Sequence, residues 1–423
     1  MTAEQTKLQG LSLAPFRGLR PRVDAARLGR LLCPPYDVID EGARSRLLAG
    51  DADNAVAVIL PPQSPEGYAG AAARLQTWVD TGLYAVDPAP ALYVYELEDP
   101  SGHATRGLMG AVELREAADG VILPHENTMA GPVADRLDVM TATDADLEPI
   151  YLVYDGGGPA SDLVRAIDAG QPLAEAITPD GIHHRLWSVT DPNAVATAMT
   201  DLGTRRALIA DGHHRYATYQ ERQRRRRAAE GGPGPWDRGL ALVVDSSEYG
   251  PQVHAIHRVV RGLELRGAVE ALTDWASVEP FDGTPSQALD SIADRRGFAA
   301  VLTDGRQTYV AVDGTGRLSG AAARVGEVDA LSELDVTVLH RVLVELIWQL
   351  PDDVETVGYA HSVDEALAEV GSGGSVAVLL RPTPVAAVAA VAAAGARMPR
   401  KSTLFTPKPA SGLVMRRLGD QAW

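Results

Sequence analysis

The chain has 423 residues, 45% of them hydrophobic, a mean hydropathy of −0.07 and a net charge of −17. That size and balance fit a globular protein of about two or three domains, and the acidic charge argues against broad nucleic-acid binding, which needs Lys and Arg to neutralise phosphates. A single cysteine, Cys33, rules out an internal disulfide framework and reads as a packed thiol in a reducing compartment. Residues 1–10 lack an apolar signal core, and the most apolar tract, 385–394, is too short to cross a bilayer, so a cytoplasmic, non-membrane protein is expected.

In chain order, Pro34 and Pro35 exclude a helix around Tyr36-Asp37-Val38. The apolar run 54–60 (NAVAVIL) predicts a buried strand closed by Pro61-Pro62. Residues 68–81 have helical spacing, with Ala71, Leu75 and Trp78 on one face. Strands are predicted at 91–97, 106–114, 149–154, 184–189 and 207–210. Helices are predicted at 135–142, 159–169 and 193–202. A long helix, 215–230, is ended by Gly231-Gly232-Pro233-Gly234-Pro235. Strands at 239–245 and 253–260 follow. The last third predicts helices at 266–275, 285–293 and 336–350, strands at 299–303, 308–312 and 376–380, and a polar, Pro-rich tail at 398–414. The alternation of strands and helices indicates an α/β fold, with α+β layering the other option.

The residues best suited to chemistry are Asp211-Gly212-His213-His214-Arg215, where a short apolar strand runs directly into a helix. Glycine permits close backbone approach, the helix start favours an anion, and Arg215 can grip a phosphate with two parallel hydrogen bonds. Asp211, at the strand end, could bind Mg²⁺ or orient a hydroxyl. The plain structural alternative is an Asp N-cap with surface histidines. A second candidate is Glu126 beside His125, a general base if partly buried and otherwise a solvated loop acid. Asp135-Arg136 reads as an ordinary helix ion pair. The tail stretch 397–408, with Lys401 and Ser402, could meet an anion or be a basic surface loop. Arg222 to Arg227 read as a solvated helix face, and His183-His184 alternate so that one faces the core. Neither HExxH nor paired CxxC occurs, so a zinc site is not indicated.

Several landmarks occur in a fixed order: PFRGLR at 15–20, PPYDVI at 34–39, ALYVYE at 91–96, PHENTMAGPVADRL at 124–137, HRLW at 184–187, IADGHHRYAT at 209–218, LDVTVLH at 334–340 and MPRKSTLFTPKPASGLV at 398–414. With them the chain resembles the "domain of unknown function 1015" family across nearly its whole length. The middle block is also similar to free serine kinases of the ParB/sulfiredoxin-like superfamily, which place a PHE segment, a helix and a P-I strand ahead of a strand–DGHHR–helix. This resemblance implies mixed sheets with a ParB/sulfiredoxin-like core at 106–260, an N-terminal α/β region at 1–105 and a C-terminal α/β region with a basic tail at 261–423. It implies a kinase moving phosphate from ATP or ADP, with Mg²⁺, to a hydroxyl such as that of free L-serine. Glu126 would be the base. Asp211, as metal ligand, and His213 would act at the transferring phosphate, with His125, Arg136, Gly212, His214, Arg215, Lys401 and Ser402 holding the nucleotide. A non-catalytic nucleotide-binding regulatory module and a hydrolase using His213 or His214 as acid and base stay open. The expected partners are small molecules, with neither nucleic acid nor membrane, and the oligomeric state is not fixed by the sequence.

Overall fold

Short apolar strands from the first half of the chain bury both faces of one mixed sheet. In the computed structural model, which describes residues 10–167, 170–371 and 374–421, this sheet has nine strands. Its main path runs Ile122–Leu123, Ala207–Asp211, Ile150–Tyr154, Arg238–Asp245, Ala104–Glu113, Leu92–Glu98, His183–Val189, Ala174–Ile177, with Leu13–Ala14 added beside Ala104–Glu113. Two pairings are parallel, Ala207–Asp211 on Ile122–Leu123 and Arg238–Asp245 on Ile150–Tyr154. The rest are antiparallel, which makes the sheet mixed. One face carries Leu92, Val94, Leu108, Ile150, Leu152, Ile209 and Val243, packed with Val164 and Leu202 from the helices Pro159–Ala166 and Pro192–Leu202.

A second cluster joins the helix Pro65–Asp80 to Val139 of the helix Ala130–Thr143, with Val56, Ile59 and Met415. Ala71, Leu75 and Trp78 are buried there, as the spacing predicts. The run 54–60 is different: Val56–Ile59 is a helical turn and not a strand. Asn54 decides it. Its Oδ1 accepts from Val56 N at 2.9 Å, and its Nδ2 donates to the carbonyls of Arg30 and Leu32. This side chain folds the backbone into a turn, and an apolar run alone does not distinguish buried helix from buried strand.

The chain forms two compact units, residues 1–251 with 407–423, and residues 252–406. This differs from the three regions expected. The boundary at 105 falls within the strand Ala104–Glu113, and that at 260 within His257–Arg261, where cutting would strip ladder hydrogen bonds. The second unit has a six-stranded antiparallel sheet in the order Ser277–Pro280, Thr308–Val312, Ala299–Thr303, Ser375–Leu380, His257–Arg261, Val357–Ala360. The predicted strand 253–260 is two strands, Gln252–His254 and His257–Arg261. The predicted helix 336–350 is largely π-helical, Val338–Ile347. Within the predicted helix 159–169, Pro159–Ala166 is helical, and residues 168 and 169 lie outside the described residues. So do residues 1–9 of the N-terminal stretch read for a signal. Among the described residues no helix is long and apolar enough to cross a membrane.

Residues 407–421 lie within the first unit. Backbone bonds tie Ser411 to Cys33 and Met415 to Leu19, and Arg416–Arg417 pairs with Ala145–Asp146. Asp146, fully buried, accepts from Arg416 and Arg222 and from Leu240 N. Arg222 is therefore a core residue, whereas Arg224 and Arg225 of the same run are solvated. Removing one partner of a buried ion pair leaves an uncompensated charge. Arg416→Ala is expected to lower the stability of the first unit by about 3–5 kcal/mol in urea unfolding. Arg225→Ala, which removes an exposed ion pair with Glu221, should change it by less than about 1 kcal/mol.

Candidate functional site

The strand Ala207–Asp211 ends with a register shift against Ile150–Tyr154, with Ile209 facing Leu152 and Asp211 facing Tyr151. Such an irregularity re-aims the last side chain of a strand. Gly212 follows in the left-handed region (φ +91°) and starts the 18-residue helix His213–Glu230. This glycine, and not Asp211, occupies the N-cap position, without a side-chain cap. The turn thereby directs Asp211, His213 and Arg215 around the positive end of a long helix.

Asp211 is buried between two cations. Arg215 Nη2 donates to its Oδ2, and Lys408 Nζ donates to its Oδ1 at 2.5 Å. Burial by itself would raise the Asp211 carboxyl, but Lys408 and Arg215 outweigh it and hold the group below the ordinary carboxylate range. Burial likewise opposes the charge on Lys408, and Asp211 outweighs it, raising the ammonium above its usual value. Arg215 also donates from Nη1 to the Pro149 carbonyl at 2.5 Å. Its Nε is buried without a hydrogen-bond partner among the described residues. A Cβ at position 212 would stand 3.1 Å from that Nε. Glycine at 212 thus keeps carbon away from a buried, unused N–H.

The loop 124–129 meets this turn. His125 N donates to His213 Nε2 at 3.3 Å, and Met129 N donates to His214 Nε2 at 3.1 Å. The two rings of His125 and His213 are edge to face, with centroids 4.5 Å apart. Since Nε2 of His213 accepts, its Nδ1 carries the proton in the neutral ring. That Nδ1 lies 3.8 Å from Glu126 Oε2. The Glu126 side chain is one-third exposed and lies within ion-pair range of that ring.

Behind these groups stand Glu148 and Asp37, which sequence reasoning missed, and Arg136, which the resemblance gave as a nucleotide contact. Glu148, buried, accepts at Oε1 from Tyr36 N and from Ser411 Oγ, both at 3.0 Å. Asp37, exposed in the single 3-10 turn Tyr36–Val38 that forms where the two prolines were expected to exclude a helix, acts on the charges of both Arg215 and Lys408; Pro35 stands at the N-cap of that turn, where its missing N–H costs no helical bond. Arg136 is more than an ordinary helix ion pair. It is buried, donates to Asp135 at 2.6 Å and to the Ile59 carbonyl, and lies over the Tyr36 ring at 4.2 Å. With those contacts it works as a strut under the Tyr36 loop. The sequence signal for Tyr36 and Asp37 was the PPYDVI segment, and that for Arg136 the PHENTMAGPVADRL segment.

Of the predicted site residues, His125, Glu126, Asp211, Gly212, His213, His214 and Arg215 come together. Lys401 and Ser402 belong to the other unit, 252–406, where Ser402 Oγ donates to the Pro399 carbonyl at 2.6 Å. The tail's contribution is Lys408. Asp211 does not fit the role of metal ligand, because both of its oxygens already accept from cations, which also repel a divalent ion. Among the described residues, no group of three or more His, Cys, Asp or Glu is placed to hold a metal. A phosphate oxygen fits better, given the positive helix end, the glycine turn and the unused Arg215 Nε. An open cavity of 640 Å³ in the first unit is lined by Arg20, Arg22, Asp24 and residues 171–175, and by none of the predicted site residues.

A family model described as "Protein of unknown function (DUF1015)" matches residues 13–337. The chain belongs to the DUF1015 family. No curated protein matches it. Among solved structures, a free serine kinase mutant in complex with ADP aligns at 15% identity and a TM-score of 0.33, covering 67% of this chain and 84% of that one. A conserved hypothetical protein from Pyrococcus furiosus aligns at 15% identity and a TM-score of 0.32, covering 69% and 90%. SbnI with a C-terminal truncation, from Staphylococcus aureus, aligns at 12% identity and 0.34, covering 72% and 85%.

The tail next to Lys408 is anchored through a buried histidine. Ala410 N donates to Tyr95 Oη at 3.1 Å, and Tyr95 Oη bonds His184 Nδ1 at 2.9 Å. His184 is the inward member of the His183-His184 pair, and burial pushes it down to about 4. The unfolded chain therefore takes up a proton near pH 6.5 that the folded chain refuses until about pH 4, so stability falls as pH drops through that window. His184→Gln is expected to flatten this fall by up to about 1.4 kcal/mol per pH unit, measured by urea unfolding at steps across the window. An unchanged slope contradicts a neutral, buried His184.

Proposed function

We propose that this chain is a phosphotransferase that moves a phosphoryl group from ATP or ADP to the hydroxyl of a small molecule, with free L-serine the first acceptor to test. The observation that carries this reading is the junction of two segments more than eighty residues apart. The Glu126 carboxylate stands 3.8 Å from His213 Nδ1, at the start of a helix whose glycine turn is backed by the buried guanidinium of Arg215. Phosphoryl transfer asks a protein mainly for positioning and charge neutralisation, and those are the properties of this junction.

In this reading the terminal phosphate of the nucleotide lies over Gly212, within reach of Arg215 and Lys408. Glu126, oriented by His213, takes the proton from the acceptor hydroxyl. The acceptor oxygen bonds to phosphorus as the bond to the bridging oxygen breaks, and the nucleotide leaves one phosphate shorter. No step is assigned to a divalent ion. The sequence resemblance to free serine kinases selects ATP, ADP and L-serine for the first trial.

Glu126→Gln keeps size and hydrogen bonding but cannot take up the proton. It is expected to lower phosphorylation of L-serine by about 10²-fold or more, with nucleotide affinity within about threefold of the unaltered chain by calorimetry. Turnover unaffected by the substitution contradicts the role given to Glu126. Absence of nucleotide binding by the unaltered chain contradicts the whole reading.

A further inference from the structure

A phosphate site needs positive charge that reaches the ligand, and the basic groups Arg136, Arg215 and Lys408 differ in how far they can supply it. Arg136 is engaged by Asp135, the Ile59 carbonyl and the Tyr36 ring. Arg215 is buried, with Nη1 and Nη2 held by Pro149 O and Asp211. Lys408 is the outermost of the three, its side chain 18% exposed while that of Arg215 is 1% exposed. An ammonium is a point charge with three donors, and one bond to Asp211 leaves it further donors to offer.

The segment that carries Lys408 is fixed. Ala410 N donates to Tyr95 Oη, Ser411 N donates to the Cys33 carbonyl at 2.8 Å, and Ser411 Oγ donates to Glu148 Oε1. Tyr84 Oη donates to the Gly412 carbonyl at 3.1 Å. Gly412 has φ +93°, and a Cβ there would stand 2.6 Å from the Ala55 side chain, so the chain passes where only glycine fits. These bonds, two to four residues beyond Lys408, set its ammonium before any ligand arrives, which reduces the ordering cost of binding.

We infer that Lys408 is the phosphate-contacting cation of this site and does there, with the unused Nε of Arg215, the charge work that a divalent ion at Asp211 would do, so that phosphate binding does not require a metal. This rests on the phosphotransferase reading, because it assumes that the turn at Gly212 receives a phosphate. It goes beyond it by assigning a residue from the far end of the chain to that phosphate, and by assigning Asp211 the task of holding Lys408 and Arg215 in place.

Titration calorimetry of the full chain with ADP, once in EDTA and once in excess Mg²⁺, tests the inference. The unaltered chain is expected to bind in EDTA within about threefold of its affinity in Mg²⁺. Lys408→Met is expected to weaken binding at least about tenfold in both conditions, and Lys408→Arg to restore most of it. The double variant Lys408→Met, Asp211→Asn removes both charges of the pair and separates contact from mere neutralisation. It should stay as weak as Lys408→Met if Lys408 touches the phosphate. Binding by the unaltered chain only in Mg²⁺, or a double variant that binds like the unaltered chain, overturns the inference and leaves the phosphotransferase reading standing. No ADP binding in either condition overturns both.

Discussion

The site depends on a buried carboxylate held between two cations. Asp211 at the end of a bulged strand meets Arg215 one helical turn further on and Lys408 from the C-terminal segment. A charge in that place is tolerable only because both partners are present, and each partner is held by a different part of the fold. Arg215 comes from the helix His213–Glu230, which is anchored by Tyr219 Oη to the Glu148 carbonyl and by Arg222 to Asp146. Lys408 comes from a segment bonded to Tyr95, Cys33 and Glu148. The electrostatic constraint at Asp211 thus ties the central sheet, the site helix and the C-terminal segment together.

That constraint also separates two kinds of chemistry. A carboxylate with free oxygens invites a metal ion, whereas one already saturated by an ammonium and a guanidinium organises cations for an anionic ligand. The loop 124–129 adds the complementary function. Its backbone donates to the rings of His213 and His214, which leaves the Glu126 carboxylate beside a protonated Nδ1 and partly open to solvent. In the phosphotransferase reading proposed above, acceptor-side and donor-side groups meet at the start of one helix.

Much of this was legible in the residues. The strand–DGHHR–helix was visible because an apolar run switches abruptly to Asp-Gly and then to a helix-forming stretch, and both neighbours of the turn behave as that pattern requires. The amphipathic helix 65–80 and the strands 92–98 and 150–154 followed from periodicity in the same way. Three features were not legible, each for a physical reason. Asn54 made a turn of an apolar run by hydrogen bonds to carbonyls more than twenty residues away. Arg222 looked like its solvated neighbours until Asp146 was placed beneath it. Lys408 looked like one more cation in a polar tail, because its partner lies 197 residues earlier in the chain. Local pattern carries no information about which long-range carboxylate a basic residue will meet.

The most direct test of the account is a crystal structure of the chain grown with ADP. The account predicts the terminal phosphate over Gly212, with its oxygens within hydrogen-bond distance, roughly 3 Å, of Arg215 Nε and Lys408 Nζ, and with Glu126 facing the vacant side of the phosphorus. A nucleotide seated elsewhere, for example in the cavity lined by Arg20 and Arg22, with the Gly212 turn still closed over Arg215, would contradict it.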